Sequence, residues 1–143
     1  MRYINPESAK KAFTELKSSP YFVDKSSFIS KIASSIGIAE KYVCITRSCR
    51  FGKTSNAQML AAFLSRGLDA RTLFGELAVA GDAAAMRHLG SHDVIYIDFS
   101  VLPDECGGYD DYIDFIRSGI VSDLRTLLPE ANITEDEGLF AAL

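Results

Sequence analysis

Arg47-Ser48-Cys49-Arg50-Phe51-Gly52-Lys53-Thr54 decides how this chain is read. It follows an apolar run, Tyr42-Val43-Cys44-Ile45, and precedes a segment of helical periodicity. A strand, a turn closing on Gly-Lys-Thr and a helix form the layout of a phosphate-binding P-loop. In that layout the turn and the helix N-terminus aim backbone N–H groups at phosphate oxygens. Lys53 then reaches the β- and γ-phosphates, and the Thr54 hydroxyl ligates Mg²⁺. The full pattern is Gly-x-x-x-x-Gly-Lys-Ser/Thr, and Arg47 stands at its first glycine. A bare Gly-Lys-Thr is common; its place between a β-branched run and a capped helix gives it weight. An ordinary strand–turn–helix stays open beside the nucleotide reading.

Composition sets the bounds. The chain has 143 residues, enough for one ordinary domain. A hydrophobic fraction of 48%, a charged fraction of 24% and a net charge of −4 are globular values. The acidic balance argues against a wide nucleic-acid footprint, which needs a clustered basic face. Arg47, Arg50 and Lys53 nevertheless converge on one loop, and a compact basic loop in an acidic protein suits a small polyanion. Cys44, Cys49 and Cys106 form no C-x-x-C pair, as expected of a reduced, cytoplasmic chain. Cys44 reads as a small core residue. Cys49 reads as a tolerated loop residue, or as a thiol whose pKa nearby Arg and Lys lower. The start, Met-Arg-Tyr-Ile-Asn-Pro, lacks the apolar core of a signal peptide. No apolar run approaches the ~20 residues that span a bilayer, so no membrane partner is expected.

Along the chain, Ala9, Ala12, Phe13 and Leu16 share one face of a helix over Ser8–Lys17, which Ser18-Ser19-Pro20 breaks. Tyr21-Phe22-Val23-Asp24-Lys25 is short and extended. Ser26 or Ser27 caps a second helix carrying Phe28, Ile29, Ile32 and Ile36, ended by Gly37. Lys41–Thr46 is the first strand. A helix over Lys53–Arg66 lines Ala57, Leu60, Ala61 and Leu64 on one face, with Gly67 past its end. Leu73-Phe74 suits a turn, and Glu76–Val79 a short edge strand. Asp82 caps an Ala-rich helix to Leu89. Val94–Phe99 is the second strand, apolar throughout and so expected to be buried on both faces. Tyr109–Leu128 is a long helix with Tyr112, Phe115, Ile116, Ile120 and Leu124 on its stripe, ended by Pro129. Thr134 and Glu137 form a capping box for another helix.

This order implies α/β architecture, a P-loop NTPase-type three-layer sandwich. With only two strands in evidence the sandwich is expected to be incomplete, because such a domain needs several parallel strands.

The combined string resembles a known family. Tyr21-Phe22-Val23-Asp24-Lys25-Ser26, then Ile45-Thr46-Arg47, then Arg50-Phe51-Gly52-Lys53-Thr54-Ser55-Asn56 and Met59-Leu60 are similar to the start of the predicted AAA-ATPase-like family. Its members carry a YYVDKT segment followed by ITRPRRFGKT. Leu73-Phe74-Gly75 and the run Val94–Phe99 match its later motifs more loosely. The family's loop itself lacks the first P-loop glycine, so Arg47 is what the resemblance leads one to expect. Here Ser48-Cys49 replaces a Pro and an Arg, which frees the loop backbone and removes one phosphate contact.

The resemblance implies binding of ATP with Mg²⁺ through Arg47, Arg50, Phe51, Gly52, Lys53, Thr54 and Ser55. Thr54 is the expected metal ligand. Asp98, at the end of the second apolar run, is either a second residue of the metal shell or a strand-end cap. The family's acidic motif, LIDEYD, is not found in this sequence, and neither is the PD-(D/E)XK nuclease-like domain that often follows it. Residues 1–143 therefore read as the N-terminal part of one AAA-like ATPase domain, with a helical region at 1–40 and a P-loop core at 41–143. Hydrolysis is expected only with the downstream acid. The alternatives are a nucleotide-dependent interaction module that does not turn over, and a vestigial remnant. Self-association, or a nuclease-like domain in the full-length protein, would supply partners. The catalytic acid is not identified.

Overall fold

The computed structural model describes residues 3–39, 41–103 and 106–131. Six α-helices occur among them: α1 (Glu7–Lys17), α2 (Ser27–Ala33), α3 (Lys53–Leu64), α4 (Arg71–Phe74), α5 (Ala83–Met86) and α6 (Tyr109–Leu127). Short 3₁₀ turns cover Ala78–Gly81 and Pro129–Ala131. The chain divides into two compact units, Asn5–Val94 and a second that joins residues up to Ile4 with those from Ile95 onward. The longest helix, α6, is not long and apolar enough to cross a membrane, and neither is any other among the described residues.

In the Asn5–Val94 unit α1 packs along α3. Ala9 and Phe13 are buried, as their spacing predicts, while Leu16 lies at the rim. Phe13, Ile29, Phe63, Phe74 and Val79 form the centre of the core. The Phe74 ring lies parallel to Phe13 at 5.1 Å and edge-on to Phe63 at 5.0 Å, both favoured arrangements of ring quadrupoles. Helix α2 ends at Ala33, and Gly37, at φ 84°, closes the turn beyond it rather than the helix itself. Helix α3 ends at Leu64 rather than Arg66, because Ser65 turns extended and bridges His92. Arg66 N–H donates to the His92 carbonyl at 2.7 Å, and His92 N–H to that of Leu64 at 3.0 Å. The buried side of α3 is Met59, Ala61, Ala62 and Phe63, since the helix is covered on more than the single expected stripe. No edge strand forms at Glu76–Val79, where α4 passes into the 3₁₀ turn. Asp82 caps α5 as expected, its carboxylate accepting from the Ala84 and Ala85 N–H groups.

His88 and His92 meet in this unit, Nδ1 to Nε2, at 2.8 Å. Their ring centres are 5.1 Å apart and their planes differ by 18°. That separation equals the nitrogen–nitrogen distance plus the radii of both rings. The rings therefore meet edge to edge, in a nearly in-plane N–H···N hydrogen bond, not face to face. One of the facing nitrogens must accept, so it carries no proton.

In the second unit Ile116, Ile120 and Leu124 of α6 pack against Tyr3 and Ile4. The Asp123 carboxylate accepts the backbone N–H groups of both Tyr3 and Ile4. Ile4 bridges Ile95 in antiparallel sense, and Tyr96 N–H donates to the Tyr3 carbonyl at 2.9 Å. Gly119 gives the Tyr3 ring its place, for a Cβ there would overlap that ring. Phe115, expected on the buried stripe, is exposed. The expected capping box at Thr134 and Glu137 lies outside the described residues.

The α/β sandwich is not what forms. Among the described residues there is no strand and no sheet, only the isolated bridges Ile4–Ile95 and Ser65–His92. Residues 41–46 make no backbone–backbone hydrogen bond to another described residue, and Tyr42, Val43 and Ile45 are 87%, 51% and 41% exposed. The second apolar run, 94–99, is divided between the two units. The physical reason is that β-propensity reports how well a residue fits against neighbouring strands, not a conformation it holds alone. Helix α1 on α3, with Phe74 of α4, fills the core of the larger unit instead.

Candidate functional site

The loop before α3 is coiled by two left-handed residues, Arg50 at φ 66° and Gly52 at φ 79°. Glycine takes this conformation without a Cβ penalty. Arg50 takes it at a strain of about 1 kcal/mol or more, so the surrounding loop must hold it. Lys53 supplies that hold: its ammonium donates to the carbonyls of Arg47 at 2.8 Å and Ser48 at 3.1 Å, folding the loop over the start of α3. An ammonium has three donors, so one remains for a ligand. The first helical bond of α3 runs from Asn56 N–H to the Gly52 carbonyl at 2.9 Å, and no side chain caps the helix. The N–H groups of Lys53, Thr54 and Ser55 are thus left at the positive end of the helix dipole.

The electrostatics favour an anion. The ion pairs among the described residues are Lys17–Glu76 and Arg66–Asp93, and neither involves Lys25, Arg47, Arg50 or Lys53. Lys25 Nζ lies over Gly52, 3.5 Å from where a Cβ would stand.

Two clefts flank the loop and share Lys25, Phe51 and Asn56. One, of about 310 Å³, takes in Arg50, Gly52 and Ser55 beside Tyr21 and Phe22. The other, of about 400 Å³, takes in Arg47, Ile45, Phe28, Lys31 and Asp24. Arg47, Arg50, Phe51, Gly52 and Ser55 therefore line clefts. Lys53 turns back onto its own loop, and Thr54 is exposed; neither lines either of these two clefts. Asp98 belongs to the other unit, where its carboxylate accepts from the Ser100 hydroxyl at 2.6 Å and N–H at 2.9 Å. Those bonds hold it below the ordinary carboxylate pKa. No group of three or more His, Cys, Asp or Glu side chains converges among the described residues.

Asp24 and Ser26 hold the wall of both clefts, a role that no local pattern announces. Asp24 accepts from Ser26 N–H at 2.8 Å and from Ala78 N–H at 2.7 Å. The fully buried Ser26 hydroxyl accepts from Val79 N–H at 3.0 Å rather than capping α2. Partial burial would raise the Asp24 pKa, but the hydrogen bonds from Ala78 and Ser26 outweigh it and the carboxyl lies below its ordinary value. Adjacent amides of the 3₁₀ turn, more than fifty residues away in sequence, thereby fix the segment carrying Tyr21 to Lys25.

A family model described as "Predicted AAA-ATPase" matches residues 9–124, most of the chain. No curated protein and no solved structure matches.

Proposed function

The chain belongs to the predicted AAA-ATPase family, and from that premise we propose that it binds ATP with Mg²⁺ through Arg47–Thr54. The observation that carries this reading is the uncapped start of α3, with the Lys53 ammonium held at the same end by the Arg47 and Ser48 carbonyls. The N–H groups of Lys53, Thr54 and Ser55 donate to no other described residue and suit phosphate oxygens. Lys53 keeps a third donor for a phosphate and holds the loop with the other two. Arg47 and Arg50, one on each side, add charge free of ion pairs. The exposed Thr54 hydroxyl is the group that would hold Mg²⁺, which when bound neutralises phosphate charge.

Thermal unfolding with and without Mg·ATP tests this. A ligand at 100 times its Kd stabilises by about 2.7 kcal/mol, a shift of about 10 °C or more for a unit of this size. Lys53→Ala is expected to lose that shift. No shift in the natural chain, or an equal shift in the variant, refutes the assignment.

A second reading, binding without turnover by this chain alone, is favoured by Asp24. Among the described residues it is the one carboxylate lining either cleft, and the Ala78 and Ser26 amides donate to it. No other described carboxylate lies there to orient a water for attack on the γ-phosphate. Phosphate release from Mg·ATP, abolished by Lys53→Ala, would refute that second reading.

A further inference from the structure

We propose that the 310 Å³ cleft beside α3 holds the nucleoside of the bound nucleotide, with Tyr21 and Phe51 as its stacking surfaces. This rests on the phosphate reading of the loop and adds which part of the ligand is recognised beyond its charge.

The cleft is divided by chemistry. Its polar part is Gly52, Ser55 and Asn56, at the first turn of α3, with Arg50 also in the lining. A ligand with phosphates on the α3 amides therefore continues directly into it. Its other part is aromatic. Tyr21 is 90% exposed and Phe51 64% exposed, whereas Phe13, Phe63 and Phe74 are almost wholly buried. Large aromatic surface left in water beside a polar anchor is the arrangement that a flat, apolar ring with an anionic tail covers. The volume sits at the small end of the range for ligand pockets, about 300 to 1,000 Å³, and suits one base and sugar.

The aromatic part is preformed. Phe22 packs edge-on against Phe13, ring centres 6.2 Å apart, and its N–H donates to the Ser19 carbonyl at 3.0 Å. Asp24 and Ser26 hold the following residues to Ala78 and Val79. Tyr21 is thus presented on anchored backbone, so little ordering accompanies binding.

The uncharged hydrogen-bonding side chains that line the cleft are Ser55, Asn56 and Tyr21. A carboxamide turns either its oxygen or its NH₂ to a ligand, and a hydroxyl donates or accepts. Such groups satisfy adenine and guanine edges alike. The cleft accordingly selects for an aromatic base and not for one purine over the other.

Isothermal titration of the chain with Mg·ATP, Mg·GTP and Mg·tripolyphosphate tests this, with Tyr21→Ala, Phe51→Ala and Lys53→Ala alongside. ATP and GTP are expected to bind with similar affinity, each about 5- to 100-fold tighter than tripolyphosphate, the range for a base stacked on an aromatic side chain. Tyr21→Ala and Phe51→Ala each shrink that ratio toward one. Tyr21 is solvent-exposed, so its truncation leaves the fold in place. Equal affinity for ATP and tripolyphosphate, or a ratio that survives both aromatic truncations, overturns the nucleoside cleft while the phosphate site stands. A strong preference for one purine overturns the base tolerance. Failure of every ligand to bind, or tripolyphosphate binding that survives Lys53→Ala, overturns the phosphate reading and this inference with it.

Discussion

Truncating Ser26 to Ala removes a single oxygen, yet that oxygen is the partner of the Val79 N–H at 3.0 Å. Both residues are wholly buried, so water does not replace the lost acceptor. An exchanged hydrogen bond contributes about 1 kcal/mol, but a buried donor left without a partner costs about 1–3 kcal/mol. For a unit of this length each kcal/mol moves Tm by about 4–8 °C, so Ser26→Ala is expected to lower the midpoint by about 5–20 °C. Differential scanning calorimetry reads the shift, with Ser27→Ala, at the exposed neighbouring position, as the control. A Ser26→Ala shift no larger than the control's would refute the clamp between 24–26 and 78–79. The companion change, Asp24→Asn, tests the same clamp by pH. Asp24 has a folded pKa below its ordinary 3.8. Its carboxylate therefore stabilises the fold above that pH, and the contribution is lost as pH falls through the lowered folded value. The natural chain is expected to lose stability across that acid window more steeply than the Asn variant; equal slopes would show that the carboxylate bonds carry nothing.

Three further outcomes are expected. Gly119→Ala should destabilise the unit containing α6 by about 1–3 kcal/mol through overlap with Tyr3, although Gly to Ala in a helix ordinarily stabilises by about 0.5–1 kcal/mol; a raised midpoint in a circular-dichroism melt would be the wrong sign for this packing. His92 lies below its ordinary 6.5, first through burial and then through the nearby His88 and Arg66, with Asp93 opposing. The stability it contributes is complete above pH 6.5 and lost as pH falls through the lowered value, so His92→Asn should flatten the Tm–pH curve on that limb; an unchanged curve refutes His92 as its origin. Phe74→Ala, which removes the ring between Phe13 and Phe63, should lower stability by about 3–5 kcal/mol in urea unfolding; a loss below 1 kcal/mol would mean that the site collapses onto the gap.

Helices were legible where one face is buried and the periodicity is local. Ala9 and Phe13, or Ile116, Ile120 and Leu124, announce both the element and its inner side. Strands were not, because Val43 and Ile45 have β-propensity but no strand among the described residues to express it against. Gly52-Lys53-Thr54 before a helix was readable, since the motif and its N-terminal amides are contiguous. The Lys53 clamp on Arg47 and Ser48 depends on the coil of the loop itself, and the clefts joining Tyr21 and Lys25 to that loop depend on where the 21–25 segment packs. The hold of Asp24 and Ser26 on Ala78 and Val79 links residues too far apart for any spacing rule. His88 and His92 carried a usable signal, two imidazoles four residues apart, although they meet across a turn beyond α5 rather than on a helix face.

The hydrogen bonds from the Tyr3 and Ile4 amides to Asp123 set an order of events on the ribosome. All of Asn5–Val94 is synthesised before the acceptor of those amides exists. At about 5–20 residues per second the ribosome needs a few seconds more to reach Asp123, far longer than helix formation or collapse. The larger unit, which carries the loop, thus has time to fold first, while Tyr3 and Ile4 wait for α6. Slowing translation after residue 94 should leave the Asn5–Val94 unit's yield unchanged and delay only the protection of the Tyr3 and Ile4 amides.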